Sequence, residues 1–506
     1  MDTVTTDIEG LLATAVAAAR PFGTLAPAAR ASMLRAVAAA LDTAADDLVP
    51  VAMRETRLPE PRLRSELVRT TFQLRLFADL LDDGGYLEAT VDLPDPAWPT
   101  GPRPDLRRML TPVGPVLVFA ASNFPFAFSV AGGDTAAALA AGCPVLLKAH
   151  PGHPELSRRT ATVVADALAA TGAPAGTFAL IEGDEPARAA LVDPRVRAGA
   201  FTGSEHAGRL LFDLAAARDE PIPFYAEMGS VNPVFVTEAA AARRGPEIWA
   251  GYVDSYTLGT GQFCTKPGLL FAPAGFAERD LVRLVSARPA TSLLGERIEA
   301  GYRDTLGELT GHPAVRVLVA GDGTTPGAAT AGADGAMPDG VTSGRATSGR
   351  ATPGGVTPTL LATSIADWLR DPDALAVECF GPTSLLVTYD DPADLLAATR
   401  TLGGQLTATV HGEDTDDDLA ADLFAELRER AGRVLWNGWP TGVSVSPAMT
   451  HGGPYPATTS LHTSVGTTSI SRFLRPVTYQ SLPARLLPEP LRDDNPWNIP
   501  QRGRGV

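Results

Sequence analysis

The sequence predicts an α/β protein organised around a doubly wound parallel sheet. Short, almost uninterrupted apolar runs recur at Pro115–Ala121, Pro144–Lys148, Thr177–Ile181, Arg197–Phe201 and Ile222–Ala226. Such runs are too short for buried helices and suit strands covered on both faces. Between them lie helical stretches, roughly Val130–Ala141, Glu155–Thr171, a short one after Ile181, and Ser204–Ala216. Strands alternating with helices imply crossover connections and hence parallel pairing. On such sheets ligands sit at the carboxyl ends of strands, where Asn123, Lys148, Gly203 and Glu227 all fall.

The flanking segments differ in character. Residues 8–83 are rich in Ala, Leu and Arg at amphipathic spacing and read as helical. Leu87–Pro104 is rich in Pro and Asp and reads as extended edge-type chain. A second α/β block runs from about Met228 to Leu435, with strands expected near Leu269–Ala272, Val315–Ala320, Ser384–Tyr389 and Thr407–His411. It is interrupted at Gly321–Gly355 by a stretch dominated by Gly, Ala, Thr and Pro that ends in three related pentads. That composition cannot bury a core, and a disordered surface insertion without function is expected there. The tail, Arg472–Val506, is rich in Pro and Arg and reads as extended chain packed on a partner or another domain.

Composition narrows the function. The 506 residues suffice for two or three domains, and 45% hydrophobic with 20% charged residues is ordinary for a globular enzyme. A net charge of −16 would repel a polyanion, so no nucleic-acid partner is expected. Three cysteines, Cys143, Cys264 and Cys379, are an odd and widely spaced set. Neither a disulfide framework nor a zinc-type pair is expected, and a reducing compartment fits. The acidic N-terminus lacks a basic n-region, and the apolar run Val113–Ala121 is too short to cross a bilayer. A cytoplasmic protein without membrane attachment is the expectation.

Cys264 stands apart from the other two thiols. It lies in Gly261-Gln262-Phe263-Cys264-Thr265-Lys266-Pro267-Gly268, a loop bounded by turn formers. Most lone cysteines are inert buried hydrophobes, which suits Cys143 and Cys379 beside their strands. An accessible loop thiol instead suits a nucleophile. Glu227 ends the run Phe224-Tyr225-Ala226-Glu227 before Met228-Gly229; a strand-end acid is often a cap or a surface charge, but it also suits a base. Asn123 sits in Ala121-Ser122-Asn123-Phe124-Pro125, where Asn routinely fills a turn. Phe201-Thr202-Gly203-Ser204 through Gly208 spans a strand-to-helix turn, whose helix start favours a pyrophosphate. Lys148 closes an apolar strand, where a Lys commonly snorkels outward. Glu378 opens Glu378-Cys379-Phe380-Gly381-Pro382 and on its own is an ordinary loop acid.

In this order, the Glu227, Cys264 and Glu378 segments resemble the aldehyde dehydrogenase superfamily, and the resemblance covers nearly the whole chain outside the Gly-rich insertion. It implies a Rossmann-like cofactor domain, an α/β catalytic domain and a small β oligomerisation element. The domains would be 1–227, 228–435, and 436–506 returning to the cofactor domain, with a homodimer or homotetramer joined through a strand near 103–111 and the tail. Cys264 would attack an aldehyde, Asn123 with the Cys264 backbone N–H would hold the oxyanion, and Glu227 would activate the water that cleaves the thioester. Lys148 would contact the adenosine ribose and Glu378 hold the nicotinamide ribose, with Gly203, Ser204, Gly208 and Phe380 also in the dinucleotide site. Many relatives that prefer NAD carry a Glu three residues after the Lys; here that position is Pro151, so NADP is favoured over NAD.

The stretches Ser129–His150, Gly404–Thr409, Asn437–Val443 and His451–Thr458 are similar to the family branch holding 2,5-dioxovalerate (α-ketoglutaric semialdehyde) dehydrogenases and NADP-dependent fatty-aldehyde relatives. Oxidation of 2,5-dioxopentanoate to 2-oxoglutarate is the expected reaction, with aliphatic aldehydes as the alternative substrates. Ser444 and Thr459–His462 depart from that branch and leave the aldehyde's chain length open. A cofactor-independent cysteine thioesterase is the rival from another class, but none of the seven His falls in a Cys-His pattern. A CoA-acylating variant is disfavoured by Glu227, and a non-catalytic homologue by the full set of chemical residues.

Overall fold

The computed structural model describes residues 7–321 and 355–503. The chain forms two compact units, one of Met1–Gly229 with Val443–Val506 and the other of Ser230–Gly442. The Gly-rich stretch expected as an insertion lies outside the described residues apart from its ends, and Gly355 already belongs to a short strand, Gly355–Val356.

The first unit opens with four helices, Ile8–Gly23, Pro27–Thr43, Ala45–Thr56 and Glu60–Asp83. Their apolar stripes, including Leu34, Val37, Leu41, Leu67, Leu74 and Phe77, are buried. A five-stranded, all-parallel sheet follows, in the order Phe178–Ile181, Val145–Lys148, Val116–Phe119, Ala198–Thr202, Phe224–Glu227. Strand order reverses next to Val116–Phe119, so the carboxyl ends of that strand and its neighbours flank a crevice. Each expected strand of this block is present with ends shifted by one or two residues.

The extended reading of Leu87–Pro104 holds only for the edge strand Thr90–Asp92. It joins Leu106–Pro112 and Leu474–Gln480 in a three-stranded antiparallel sheet. The tail therefore packs on its own chain: Arg107 donates to the Leu491 carbonyl (2.7 Å) and Arg502 N–H to that of Ala89 (2.9 Å).

The second unit holds a seven-stranded sheet in the order Arg316–Val319, Thr359–Ser364, Thr383–Tyr389, Leu269–Pro273, Val234–Val236, Gln405–His411, Ala431–Trp436. Only the Arg316–Val319 pairing is antiparallel. Phe235 and Phe271 stack at 4.7 Å in its core, with Trp368 edge-on to Phe271 at 5.3 Å. Val234–Val236, Thr359–Ser364 and Ala431–Trp436 were not anticipated; the first has three residues, and the last is half exposed and lacks a continuous apolar run. Among the described residues no helix is long and apolar enough to cross a membrane.

His411 ends a central strand with its ring against Trp439, 4.5 Å between centroids. Burial, aided by Arg244, lowers its pKa from 6.5 to about 4. The unfolded chain therefore binds the proton more tightly, and stability present above pH 6.5 is lost as pH falls towards 4. Up to about 3 kcal/mol should disappear across that window. Urea midpoints at pH 7.5 and 5 should converge in a His411→Gln variant; an unchanged pH slope in that variant would refute the assignment.

Candidate active site

In the first unit Glu227 is the last residue of the edge strand and is 2% exposed. A buried carboxylate needs partners, and two lie at hand. His451 Nε2 is 2.9 Å from Oε1, and the Ser464 hydroxyl is 2.7 Å from Oε2. Both partners come from the segment after Val443, which folds back along the strand: Met228 N–H donates to the Ala457 carbonyl and Ala226 N–H to Thr459 Oγ1. Thr459, one of the departures from the resembled branch, is thus occupied in pairing with the strand.

Asn123 lies in a loop fixed from three sides. His153 Nε2 is 3.0 Å from the Ala121 carbonyl, and because a carbonyl only accepts, that nitrogen carries the proton. Burial lowers the pKa of His153 and keeps the ring neutral. The buried Glu66 accepts from the N–H groups of Phe126 (2.8 Å) and Ala127 (3.0 Å), and its own burial raises its pKa against the pull of Arg62. Arg62 donates to the Asn123 carbonyl (3.2 Å) and lies over the Phe124 ring. Further along, Phe128 meets the His451 ring edge-on at 6.2 Å, so the Asn123 loop and Glu227 share a neighbour.

The dinucleotide candidates occupy the same sheet's carboxyl ends. Lys148 closes its strand and pairs with Asp184 at 2.6 Å rather than reaching freely outward. Gly203 and Ser204 are exposed at the start of the helix Glu205–Ala216, and Ser204 caps it. Gly203 N–H donates to the Glu227 carbonyl at 3.1 Å. Gly208 differs: it is buried, and a Cβ there would stand 2.7 Å from Met228 Sδ. Close helix-to-strand packing accounts for that glycine.

In the second unit Cys264 is half-buried, unlike the buried Cys143 and Cys379. Burial pushes the Cys143 thiol up to about 11 and raises that of Cys379, so both stay protonated and inert. Gly259, Thr260 and Gly261 all have left-handed backbone, φ 57°, 60° and 67°. For the β-branched Thr260 this is a genuine outlier of about 1–2 kcal/mol, tolerated only where surroundings enforce it.

The surroundings are explicit. Gln262 Oε1 accepts from Leu294 N–H (2.9 Å) while its Nε2 donates to the Gly259 carbonyl (3.2 Å). Asn232 Nδ2 donates to the carbonyls of Cys264 (2.8 Å) and Lys266 (2.9 Å). Gln405 in turn fixes Asn232, accepting from the N–H groups of Val231 and Asn232. A Cβ on Gly261 would lie 2.2 Å from the Gly381 carbonyl oxygen, so the Cys264 loop touches the turn after Glu378 backbone to backbone. Glu378 and Phe380, both half-buried, are on that turn. Burial lowers the pKa of Arg433, with the Cys264 sulfur acting in the opposite sense.

The second unit thus carries a half-buried loop thiol next to left-handed backbone, and the first a buried strand-end carboxylate beside His451 and Ser464. The profile of the Aldehyde dehydrogenase family matches residues 2–475. The chain belongs to the aldehyde dehydrogenase family. Such enzymes oxidise aldehydes with NAD(P), and this protein is one of them. Alpha-ketoglutaric semialdehyde dehydrogenase 2 of Azospirillum brasilense is 44% identical over 484 residues, 94% of this chain and 86% of that protein. Alpha-ketoglutaric semialdehyde dehydrogenase of Acinetobacter baylyi is 40% identical over 482 residues, 94% and 87% respectively. The fold is shared with a solved 3,6-anhydro-L-galactose dehydrogenase, at TM-score 0.74, 19% identity and coverage of 94% and 91%.

Sequence reasoning singled out Cys264, Glu227 and Asn123 but gave no role to His451, Ser464, Asn232, Gln405 or Lys266. Gln262 and His451 stood inside quoted motifs, and Asn232 precedes a Pro; the contacts they make come from segments remote in sequence. Beside Glu227, Ser464→Ala should lower kcat about tenfold through one lost hydrogen bond to the carboxylate, with dinucleotide Kd unchanged. Equal kcat in variant and wild type would remove Ser464 from the argument.

Proposed function

We propose that this aldehyde dehydrogenase oxidises 2,5-dioxopentanoate to 2-oxoglutarate and uses NADP at least as well as NAD. Two relatives at 44% and 40% identity bear the name of that semialdehyde, and both are matched along most of their length. In the mechanism we infer, the Cys264 thiolate attacks the aldehyde carbon, and the oxyanion rests on the Asn123 side chain and the Cys264 N–H. One such donor is worth about 10²–10³ in rate. NAD(P), when bound, supplies the hydride acceptor. Glu227, steadied by His451 and Ser464, then takes a proton from the water that attacks the thioester on Cys264, releasing the carboxylate and the thiol. That carboxylate contact pair is the single observation that carries the reading, because it equips the chain for hydrolysis rather than transfer to another thiol.

The exposed helix start at Gly203 and Ser204 suits a pyrophosphate. Lys148 and the turn bearing Glu378 would hold the two riboses. No carboxylate follows Lys148 at Pro151, and Asp184 has its charge engaged by Lys148, which supports admission of a 2′-phosphate. We also infer a cytoplasmic homo-oligomer, with Leu106–Pro112 and Leu474–Gln480 as its joining strands.

Cys264→Ser should abolish oxidation while dinucleotide binding persists. Glu227→Gln should release a burst of one reduced cofactor per site and then stall, whereas steady turnover in stopped-flow traces would remove Glu227 as the base. Against a panel of semialdehydes and aliphatic aldehydes, kcat/KM should be highest for the oxo-acid semialdehyde. With both dinucleotides, a preference for NAD of about tenfold or more would overturn the cofactor reading.

A further inference from the structure

Lys266 lies two residues beyond Cys264 and is 2% exposed. A fully buried lysine is uncommon, and here its Nζ is met by main-chain oxygens. It donates to the carbonyls of Cys379 (2.6 Å), Thr383 (2.9 Å) and Gly381 (3.2 Å). A neutral amine has two N–H bonds and an ammonium three, so three acceptors match the charged form. Burial lowers its pKa below the usual lysine range, with Cys379 and Glu378 acting in the opposite sense.

The three carbonyls belong to the turn that follows Glu378. At its other end the Lys266 residue is tied to the nucleophile loop, since its own carbonyl accepts from Asn232 together with that of Cys264. A small cavity lined by Ser230, Lys266, Glu378, Cys379 and Thr383 adjoins the contact. We propose that Lys266 is a positioning residue whose buried ammonium, caged by the Cys379, Gly381 and Thr383 carbonyls, locks the Glu378 turn to the Cys264 loop and so keeps the nicotinamide ribose in register with the nucleophile.

This inference rests on the proposed roles of Glu378 and Cys264, and it separates two activities. Aldehyde oxidation needs the nicotinamide in register. Hydrolysis of p-nitrophenyl acetate needs only the thiol, the oxyanion donors and the base. Lys266→Met, which keeps the chain length without the charge, should lower kcat for oxidation or raise KM for NADP by about 10- to 100-fold, with ester hydrolysis nearly unchanged. Lys266→Ala should behave likewise and recover oxidation saturably with ethylammonium chloride, but not with sodium chloride; Lys266→Met, its space filled, should not recover. Near-normal oxidation in Lys266→Met, equal loss of both activities without rescue, or failure of every variant to fold would each overturn the proposal, the last two by making Lys266 a mere strut. A wild-type enzyme that oxidises no aldehyde would sink the proposed function and this inference together, whereas an active wild type with unaffected variants sinks the inference alone.

Discussion

Buried irregular backbone is the constraint on which the Cys264 loop depends. A loop that leaves the helix Glu238–Thr257, passes through three left-handed residues and presents a thiol cannot satisfy its polar groups by a ladder or a helix. Local backbone bonds meet some of them, such as Gln262 N–H to the Gly259 carbonyl and Lys266 N–H to that of Phe263, and side chains meet others; each buried group left unmet would cost about 1–3 kcal/mol. Gln262 meets one end of the loop, Asn232 the carbonyls around the thiol, and Lys266 the carbonyls of the facing turn. The motif around Cys264 is therefore largely a prescription for holding backbone.

The same economy governs Glu227 by opposite means. Its backbone is regular, in register with Ala198–Thr202, so position costs nothing special. The difficulty is the charge, which must survive almost complete burial. A segment from the far end of the chain supplies His451 and Ser464, and the same segment pairs with the strand through Ala457 and Thr459. Beneath, Asp134 and Arg472 form a second buried pair at 2.8 Å, with the Asp134 carboxyl raised by burial and restrained by Arg472. The polar centre of this unit is thus a set of mutually compensating pairs rather than isolated charges.

What the sequence revealed follows from this division. The five strands of the first sheet were legible because each reads as one apolar run, even the half-buried edge strand Phe178–Ile181; Val234–Val236 and Ala431–Trp436 were not, being too short or too exposed to carry that pattern. Cys264 was legible from its turn formers, and Glu227 from its place at a strand end. Their partners were not: Ser464 reaches Glu227 across 237 positions, and Gln405 reaches Val231 across 174. No local periodicity encodes such pairings. Gly208 shows the converse hazard, for it lies in a phosphate-like pattern while it is also buried where a Cβ would crowd the Met228 and Phe201 side chains.

Lys266 illustrates why a charged residue suits a place that an apolar one would fill more cheaply. A methionine would occupy the space but take one donor from each of three buried carbonyls, of which those of Cys379 and Gly381 would keep a backbone N–H partner. A bound monovalent cation would satisfy them but would dissociate, and register would then vary with the surrounding salt. A covalently tethered ammonium gives the oxygens the same charge without that dependence. Its desolvation is offset only because every proton has an acceptor. On this argument the lysine is retained for definition of geometry rather than for net stability, which is why its loss should be felt in the reaction that needs two loops aligned and spared in the one that needs a single loop.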